Sequence, residues 1–296
     1  MQNRSKDIRP VFIAYPSLYS LLMLNEIIYN SKIKLAGIVL SSAHIKVKGK
    51  VLSLLDSVLL LIKNCGLSYG LYLLFVSKCA YLITGIWQLI AFFRGKRLRI
   101  KTFNKVSQEN NIPLFNTTNI NSDDTIDFMK SVKSNMIVSG YNNQILQYKT
   151  CKKFTHHGIN IHNSYLPDFG GLDAAFENLY RRVKEAGATI HYIDKGIDTG
   201  EIISQDKLDI YRNDTVFSLN IRQWIKGAQL LYDVLESFRK GSVAAKKNDP
   251  QKARYRYKSF PGKLRVKEFS KKGKHLISLT DIIFPSRFVY QLFSVR

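Results

Sequence analysis

Cysteine is scarce in this sequence: Cys65, Cys79 and Cys151 are its 3 thiols, and none stands in a C-x-x-C pair. That excludes a disulfide framework and a cysteine zinc site, and it fits a reducing compartment. Proline (7) and glycine (17) are too few for collagen-like or low-complexity chains. No G-x-G-x-x-G, Walker A or G-x-S-x-G string occurs, so nucleotide hydrolysis and serine-esterase chemistry have no support. The charged start, Met1 to Arg9, runs directly into a short apolar stretch and does not read as a secretory signal. Acidic residues are few as well, 22 against 45 Lys and Arg, for a net charge of +23.

What is present can build a core. Hydrophobic residues make up 45% and aromatics 12% of the 296 residues, enough for one large domain with additions. The charge is unevenly placed. Residues 46–101 carry ten Lys/Arg against Asp56 alone, a net of +9, and residues 239–296 carry sixteen against three acids, a net of +13. The rest of the chain is left at +1, a nearly neutral body with two basic appendages suited to polyanions or an anionic surface.

Apolar patterning predicts strands at 11–14 and 35–40 around a helix at 18–29. After residues 46–101 the alternation resumes: helix 106–110, strand 112–115, helix 124–132, strands 136–140 and 159–162, helix 172–183. Strands at 189–193 and 201–210 then flank the loop 194–200. A long helix opens near Asn213-Asp214-Thr215, whose side chains can cap it, and Ala228, Leu231, Leu235 and Phe238 mark its buried face. Such alternation predicts an α/β fold with a doubly wound, mostly parallel Rossmann-like sheet and its site beyond the carboxyl ends of the strands.

Asn160 and His162 project from the same strand face, about 6.5–7 Å apart, and an amide and an imidazole aimed at one point can hold an oxyanion. Asp198 in the 194–200 loop supplies a carboxylate that would raise the His162 pKa and orient the ring. The ordered strings Gly158-Ile-Asn160-Ile-His162-Asn-Ser164-Tyr-Leu166-Pro167, Gly187-Ala-Thr189-Ile-His191 and Gly196-Ile-Asp198-Thr-Gly200 resemble the 10-formyltetrahydrofolate-dependent formyltransferases. The resemblance covers about 1–45 and 102–240 and is strongest over 136–210.

It implies the formyltransferase fold and transfer of a formyl group from 10-formyltetrahydrofolate to a primary amine, with no metal. Asn160, His162 and Asp198 match the family's catalytic triad, His162 acting protonated. Gln144, Ile145, Leu146, Thr189, Asp194 and Gly196 fall on its folate-binding positions, where the main chain of Ile145–Leu146 and of the 194–198 loop would read the pterin. Thr189 would donate a supporting hydrogen bond. His191 would support the site or be a satisfied core histidine.

Departures from the family bear on the acceptor. The loop after the first strand, Ala14-Tyr15-Pro16-Ser17, lacks the glycines that close backbone amides on a phosphate, which argues against glycinamide ribonucleotide. The 56 residues after Lys240 are too few for the barrel domain of the transfer-RNA branch, although their charge suits RNA. The expected organisation is a catalytic domain over 1–240, interrupted by an apolar, basic helical insert at 46–101, and a basic extension over 241–296. The expected acceptor is an amino sugar or a lipid-linked envelope amine. An RNA-linked amine, or a binding protein without turnover, is the alternative.

Within 46–101 the longest uncharged run, Cys79–Phe93, has 15 residues, short of the about 20 that span a bilayer. Its basic flanks predict an element lying on an anionic membrane surface at the cytoplasmic face, with Trp87, Tyr69, Tyr72 and Tyr81 near headgroup level and a second contact from 284–293. A helical subdomain packed on the body and a partner surface are the rival readings. Arg254-Tyr255-Arg256-Tyr257-Lys258 reads either as a single-strand nucleic-acid contact or as a basic tail reaching back over the site. His156-His157 read as surface or packing residues, and Gly170-Gly171 as a substrate-facing loop.

Overall fold

The computed structural model describes residues 7–30, 34–42, 46–47, 50–51, 54–255, 259–284 and 293–295. From the N-terminus, β1 (Pro10–Ala14), α1 (Leu18–Asn30) and β2 (Gly37–Ser41) lead to the two-residue strands β3 (Lys46–Val47) and β4 (Lys50–Val51). Helices α2 (Leu54–Cys65), α3 (Leu67–Lys78) and α4 (Ala80–Phe93) follow, then β5 (Lys96–Leu98) and α5 (Phe103–Glu109). Next come β6 (Leu114–Thr117), α6 (Asp123–Ser131), β7 (Met136–Gly140), α7 (Tyr148–Cys151), β8 (Gly158–His162) and α8 (Ala174–Tyr180). The antiparallel β9 (Glu185–Tyr192) and β10 (Ile202–Asp209) precede the 25-residue α9 (Val216–Lys240), and α10 (Lys263–Lys271), α11 (Leu279–Ile283) and β11 (Phe293–Val295) close the chain.

The main sheet has 7 strands in the order β10-β9-β8-β7-β1-β2-β6. From β8 to β6 the strands are parallel, and β9 and β10 are added antiparallel at one end. The expected doubly wound α/β sheet is therefore what the chain forms. Period-two alternation divides its side chains between two layers. Val11, Ile13, Val39 and Ile137 pack with Ile126 and Met129 of α6 on one face. Phe12, Ile38, Val138, Ile159 and Ile161 pack with α1 and α9 on the other.

Helix α9 starts where its cap was expected: the Thr215 side chain accepts from Ser218 N, and the Ser218 hydroxyl accepts from Thr215 N. Gly227 lets it sit close on β8, because a Cβ there would lie 2.3 Å from Ile161 Cγ2. Helix α8 is shorter than the expected 172–183. It begins only after Asp173, which is left-handed (φ 51°) and caps Phe176 N, and Arg182 turns left-handed (φ 55°) just beyond its end. Strand β9 then starts at Glu185, ahead of the expected Thr189.

The insert helices contribute to the same core as the sheet. Tyr69, Tyr72, Val76, Ile83, Trp87 and Ala91 cluster with α1, α9 and the strands. The placement of Trp87, Tyr69 and Tyr72 at headgroup level is thereby corrected: Trp87 and Tyr69 are 0% exposed. They bury more apolar area inside the fold than a membrane surface would offer them, and of the four aromatic residues only Tyr81 is exposed. Tyr69 donates to the Asp173 carboxylate, and the Tyr19 and Tyr72 hydroxyls bond each other. Beyond α9 the chain turns back. Lys246 bridges Ile202, α10 places Phe269 against Phe176 with ring centroids 4.6 Å apart, and Asp281 of α11 accepts from Thr215 Oγ1 at 2.8 Å. The expected contact at 284–293 falls mostly on 285–292, outside the described residues.

Candidate active site

Strand β8 places Asn160 and His162 on the face opposite α9, and the β8–β9 register sets Asn160 beside His191 and His162 beside Thr189. The loop 194–200 folds back over this face and brings Asp198 to both histidines. Its Oδ2 lies 3.7 Å from His162 Nδ1 and its Oδ1 lies 3.6 Å from His191 Nε2. Two glycines permit the fold-back: a Cβ on Gly196 would lie 2.1 Å from Thr199 Oγ1, and one on Gly200 would lie 1.8 Å from Tyr192 O.

Each polar group is held from a second side. His191 Nδ1 donates to Tyr192 O at 2.8 Å, and His191 Nε2 lies 3.2 Å from Asn160 Nδ2. His191 thus fixes the Asn160 amide. His162 Nε2 donates to Phe169 O at 3.3 Å, and Gly171 N donates to Asp198 Oδ2 at 2.8 Å. Asn248 donates to the carbonyls of Asp198 (2.8 Å) and Gly200 (3.2 Å). The loop 169–171 therefore closes over the histidine and the carboxylate together.

Burial lowers the His162 pKa and outweighs the opposing pull of Asp198, so the ring rests neutral. Asp198 raises it, as expected, but by less than burial lowers it. Burial works to raise Asp198 as well, but His162, His191 and the Gly171 N–H hold it well below the usual carboxylate range. Asp198 is ionised.

The expected folate positions fall into two groups. Gln144 donates to Ser41 Oγ (2.8 Å) and Thr118 O (3.1 Å), so its side chain anchors the 141–146 loop. Asp194 accepts from Gly196 N (3.0 Å) and Thr199 Oγ1 (2.7 Å) and is spent inside its own turn. Thr189 is buried, donates to Ser164 O (2.7 Å) and accepts from Leu166 N (3.1 Å). Leu146 is buried in the core under α6, whereas Ile145, 67% exposed, projects from the surface, as Ile197 does beside Gly196 in the opposite loop.

Several contributors were not read as site residues, although Gly170-Gly171 marked the loop that holds two of them. Phe169 and Gly171 act through main-chain atoms, and Asn248 lies far along the chain in a basic stretch. Asp173 fell inside the helix expected at 172–183. The returning segment is seated against the site: Arg254 Nε lies 3.3 Å from Asp168, and the Tyr255 ring stacks on Phe169 at 4.5 Å. Arg256, Tyr257 and Lys258 lie outside the described residues. The open grooves of the surface lie elsewhere, around Arg212 and Lys274.

Fold and side chains together define a doubly wound α/β domain in which a buried His162 stands with half-buried Asn160 and Asp198 at the carboxyl end of a central strand. Residues 93–235 match the formyl transferase family. Over 156 residues the chain is 28% identical to the methionyl-tRNA formyltransferase of Fusobacterium nucleatum, covering 53% of this chain and 50% of that protein. The chain spans about half the length of the curated relatives it matches. Among solved structures, the phosphoribosylglycinamide formyltransferase of Anaplasma phagocytophilum is similar with a TM-score of 0.52 at 17% identity, over 86% of this chain and 100% of that one. A sugar 3N-formyl transferase solved with dTDP and 5-N-formyl-THF is similar with a TM-score of 0.51 at 18% identity, over 85% and 70%. Residues 93–235 thus carry a formyl transferase domain of the kind that the ordered motifs resemble.

Proposed function

We propose that this protein transfers a formyl group from 10-formyltetrahydrofolate to a primary amine, with Asn160, His162 and Asp198 as its catalytic residues. The observation that carries the reading is the convergence of these three side chains under one loop, with His191 beside both Asn160 and Asp198. Bound 10-formyltetrahydrofolate supplies the formyl carbon. Asn160 Nδ2–H and His162 Nε2–H are the donors for the negative oxygen that develops as an amine attacks a formyl group. His162 is free to do this only after giving up Phe169 O, so the 169–171 loop withdraws as substrates enter. Ionised Asp198 steadies His162 as that ring becomes charged and so helps move the proton that the amine loses.

The residues fit the folate. With Gln144 and Asp194 spent on their own loops, the main chain of 145–146 and 194–198 is left to read the pterin, between the exposed apolar side chains of Ile145 and Ile197. The units of this reading are a catalytic domain over 1–240, the insert at 46–101 and the basic extension from 241.

For the acceptor, an amino sugar or lipid-linked envelope amine at the cytoplasmic face of the membrane is the first reading. Its support is at the β1–α1 turn, where Tyr15 meets Ser77 of α3, so the insert stands where a phosphate-gripping loop would need room. Similarity to methionyl-tRNA formyltransferases favours a second reading, an RNA-linked amine held by the basic regions. Purified protein with 10-formyltetrahydrofolate and a panel of amino-sugar nucleotides, lipid-linked amino sugars and methionyl-tRNA decides, with tetrahydrofolate release as the readout. Asn160→Ala or His162→Ala should lower turnover by about 100-fold or more. Near wild-type transfer by His162→Ala would sink the assignment, and release of no tetrahydrofolate with any amine would leave a binding protein. RNA affinity falling steeply between about 50 and 200 mM salt is the mark of the second reading.

A further inference from the structure

Helix α4 is apolar on both sides, yet only one side is covered. Ala80, Ile83, Trp87 and Ala91 face the core, whereas Leu82 (62% exposed), Ile86, Leu89 (58%) and Phe93 (77%) recur at i, i+4, i+7 and i+11 on the outside. A helix hydrophobic all round is normally enclosed by protein or lipid. The stripe is extended by Leu67 and Leu71 of α3, which are also exposed. Helix α11 packs on α4 and brings Leu279 (73%), Ile283 and Phe284 to the surface. Large apolar side chains exposed together on packed helices mark an interaction surface.

Its charge says of what kind. From 57 to 108 the chain has eight Lys/Arg and no Asp or Glu. Lys63, Lys78, Arg94, Lys96, Arg97 and Arg99 are exposed at the ends of the apolar helices. At the start of α11 lies an open groove of about 370 Å³ lined by Arg212, Lys274 and His275 together with Asp214. Among the described residues no single helix is long and apolar enough to cross a membrane, and α3 and α4 meet at a 71° bend. An apolar face with a cationic rim, on helices too short to span, has the chemistry of an interfacial element.

We propose that the outer face of α3, α4 and α11 docks on an anionic bilayer, with Leu82, Leu89 and Phe93 entering the acyl boundary and the rim cations meeting lipid phosphates. The inner face stays in the protein core throughout. The proposal concerns a surface separate from Asn160, His162 and Asp198, and it stands or falls independently of the formyl-transfer reading.

Flotation of the full chain with phosphatidylcholine vesicles, with and without phosphatidylglycerol, tests it. Wild type should float with the anionic vesicles, less so as salt rises. The exposed-site variant Leu82→Ser/Leu89→Ser/Phe93→Ser should lose binding by about tenfold or more while keeping its melting temperature and its formyl transfer to a soluble amine. The rim variant Arg94→Gln/Lys96→Gln/Arg97→Gln should lose the anionic preference at low salt. Absence of wild-type binding to anionic vesicles would overturn the proposal, as would equal binding by the triple-serine variant. So would a dimer, seen by light scattering, that the triple-serine variant abolishes while vesicles capture nothing. Loss of formyl transfer with vesicle binding intact would count against the chemistry alone.

Discussion

His162 and its neighbours separate two kinds of histidine work. His162 presents a neutral N–H inside the fold, and its folded pKa lies below the ordinary value because burial outweighs Asp198. The unfolded chain therefore binds a proton that the folded chain resists. Stability is full above the unfolded histidine value of about 6.5 and falls as pH drops below it. Asp198, held low, works in the same direction in stronger acid: its contribution is present above the unfolded carboxylate value and lost as pH falls toward the folded one. The melting temperature of the wild type should fall between about pH 7 and about pH 5, and that of His162→Gln should fall less over the same range. Identical slopes would show that His162 is not the group responsible. His191 acts one step removed, by holding the Asn160 amide. His191→Phe should lower kcat about tenfold and leave the KM for the folate within about twofold; a large KM change with kcat intact would move His191 to the folate side.

Among the elements, α9 and the 194–200 loop depend on glycine most directly. Gly227→Ala puts a Cβ into Ile161 and should cost about 1–3 kcal/mol in chemical denaturation. An unchanged midpoint would show that α9 can ride outward on β8 without loss. Elements of this kind were legible beforehand: the strands from 11 to 162, the Thr215 cap and the buried stripe of α9 all follow from apolar period and side-chain capping. The triad was legible through ordered motifs. What was not legible has physical causes. The late start and early end of α8 turn on the left-handed conformations of Asp173 and Arg182, which are not glycines. The clamp on His162 and Asp198 is made by main-chain atoms of Phe169 and Gly171, to which no side chain points in advance. The inner face of α4 could not be told from its outer face, because both are apolar and only the tertiary contacts of Trp87 separate them.

At the scale of the whole molecule, the insert is part of the core rather than an addition to it. Trp87, Tyr69 and Tyr72 are buried against α1, α8 and α9, and large side chains in that position contribute about 1.5–3 kcal/mol each. Replacing 54–93 with a short linker should therefore yield a chain without a cooperative thermal transition, even though the triad and both of its loops are untouched. A cooperative transition at the wild-type temperature would show that the body is independent of the insert. Single exposed-face changes such as Leu82→Ser carry no such cost, so the two faces of α4 can be tested separately. The same interlock ties the insert to the site, since Tyr69 of α3 holds Asp173, two residues from the Gly171 N–H that binds Asp198.

Trypsin offers an outside view of the buried pocket. Phe169 gives its carbonyl to His162 and its N–H to the carbonyl of Tyr255, the residue that follows Arg254, whose side chain is 82% exposed. A ligand that claims His162 Nε2 frees Phe169, and with it the Arg254–Tyr255 peptide. Cleavage after Arg254 should therefore run faster when 10-formyltetrahydrofolate and an acceptor are bound than in the resting protein. The cutting rate becomes a gauge of whether the central histidine is engaged, read at a surface bond by a protease that never enters the pocket.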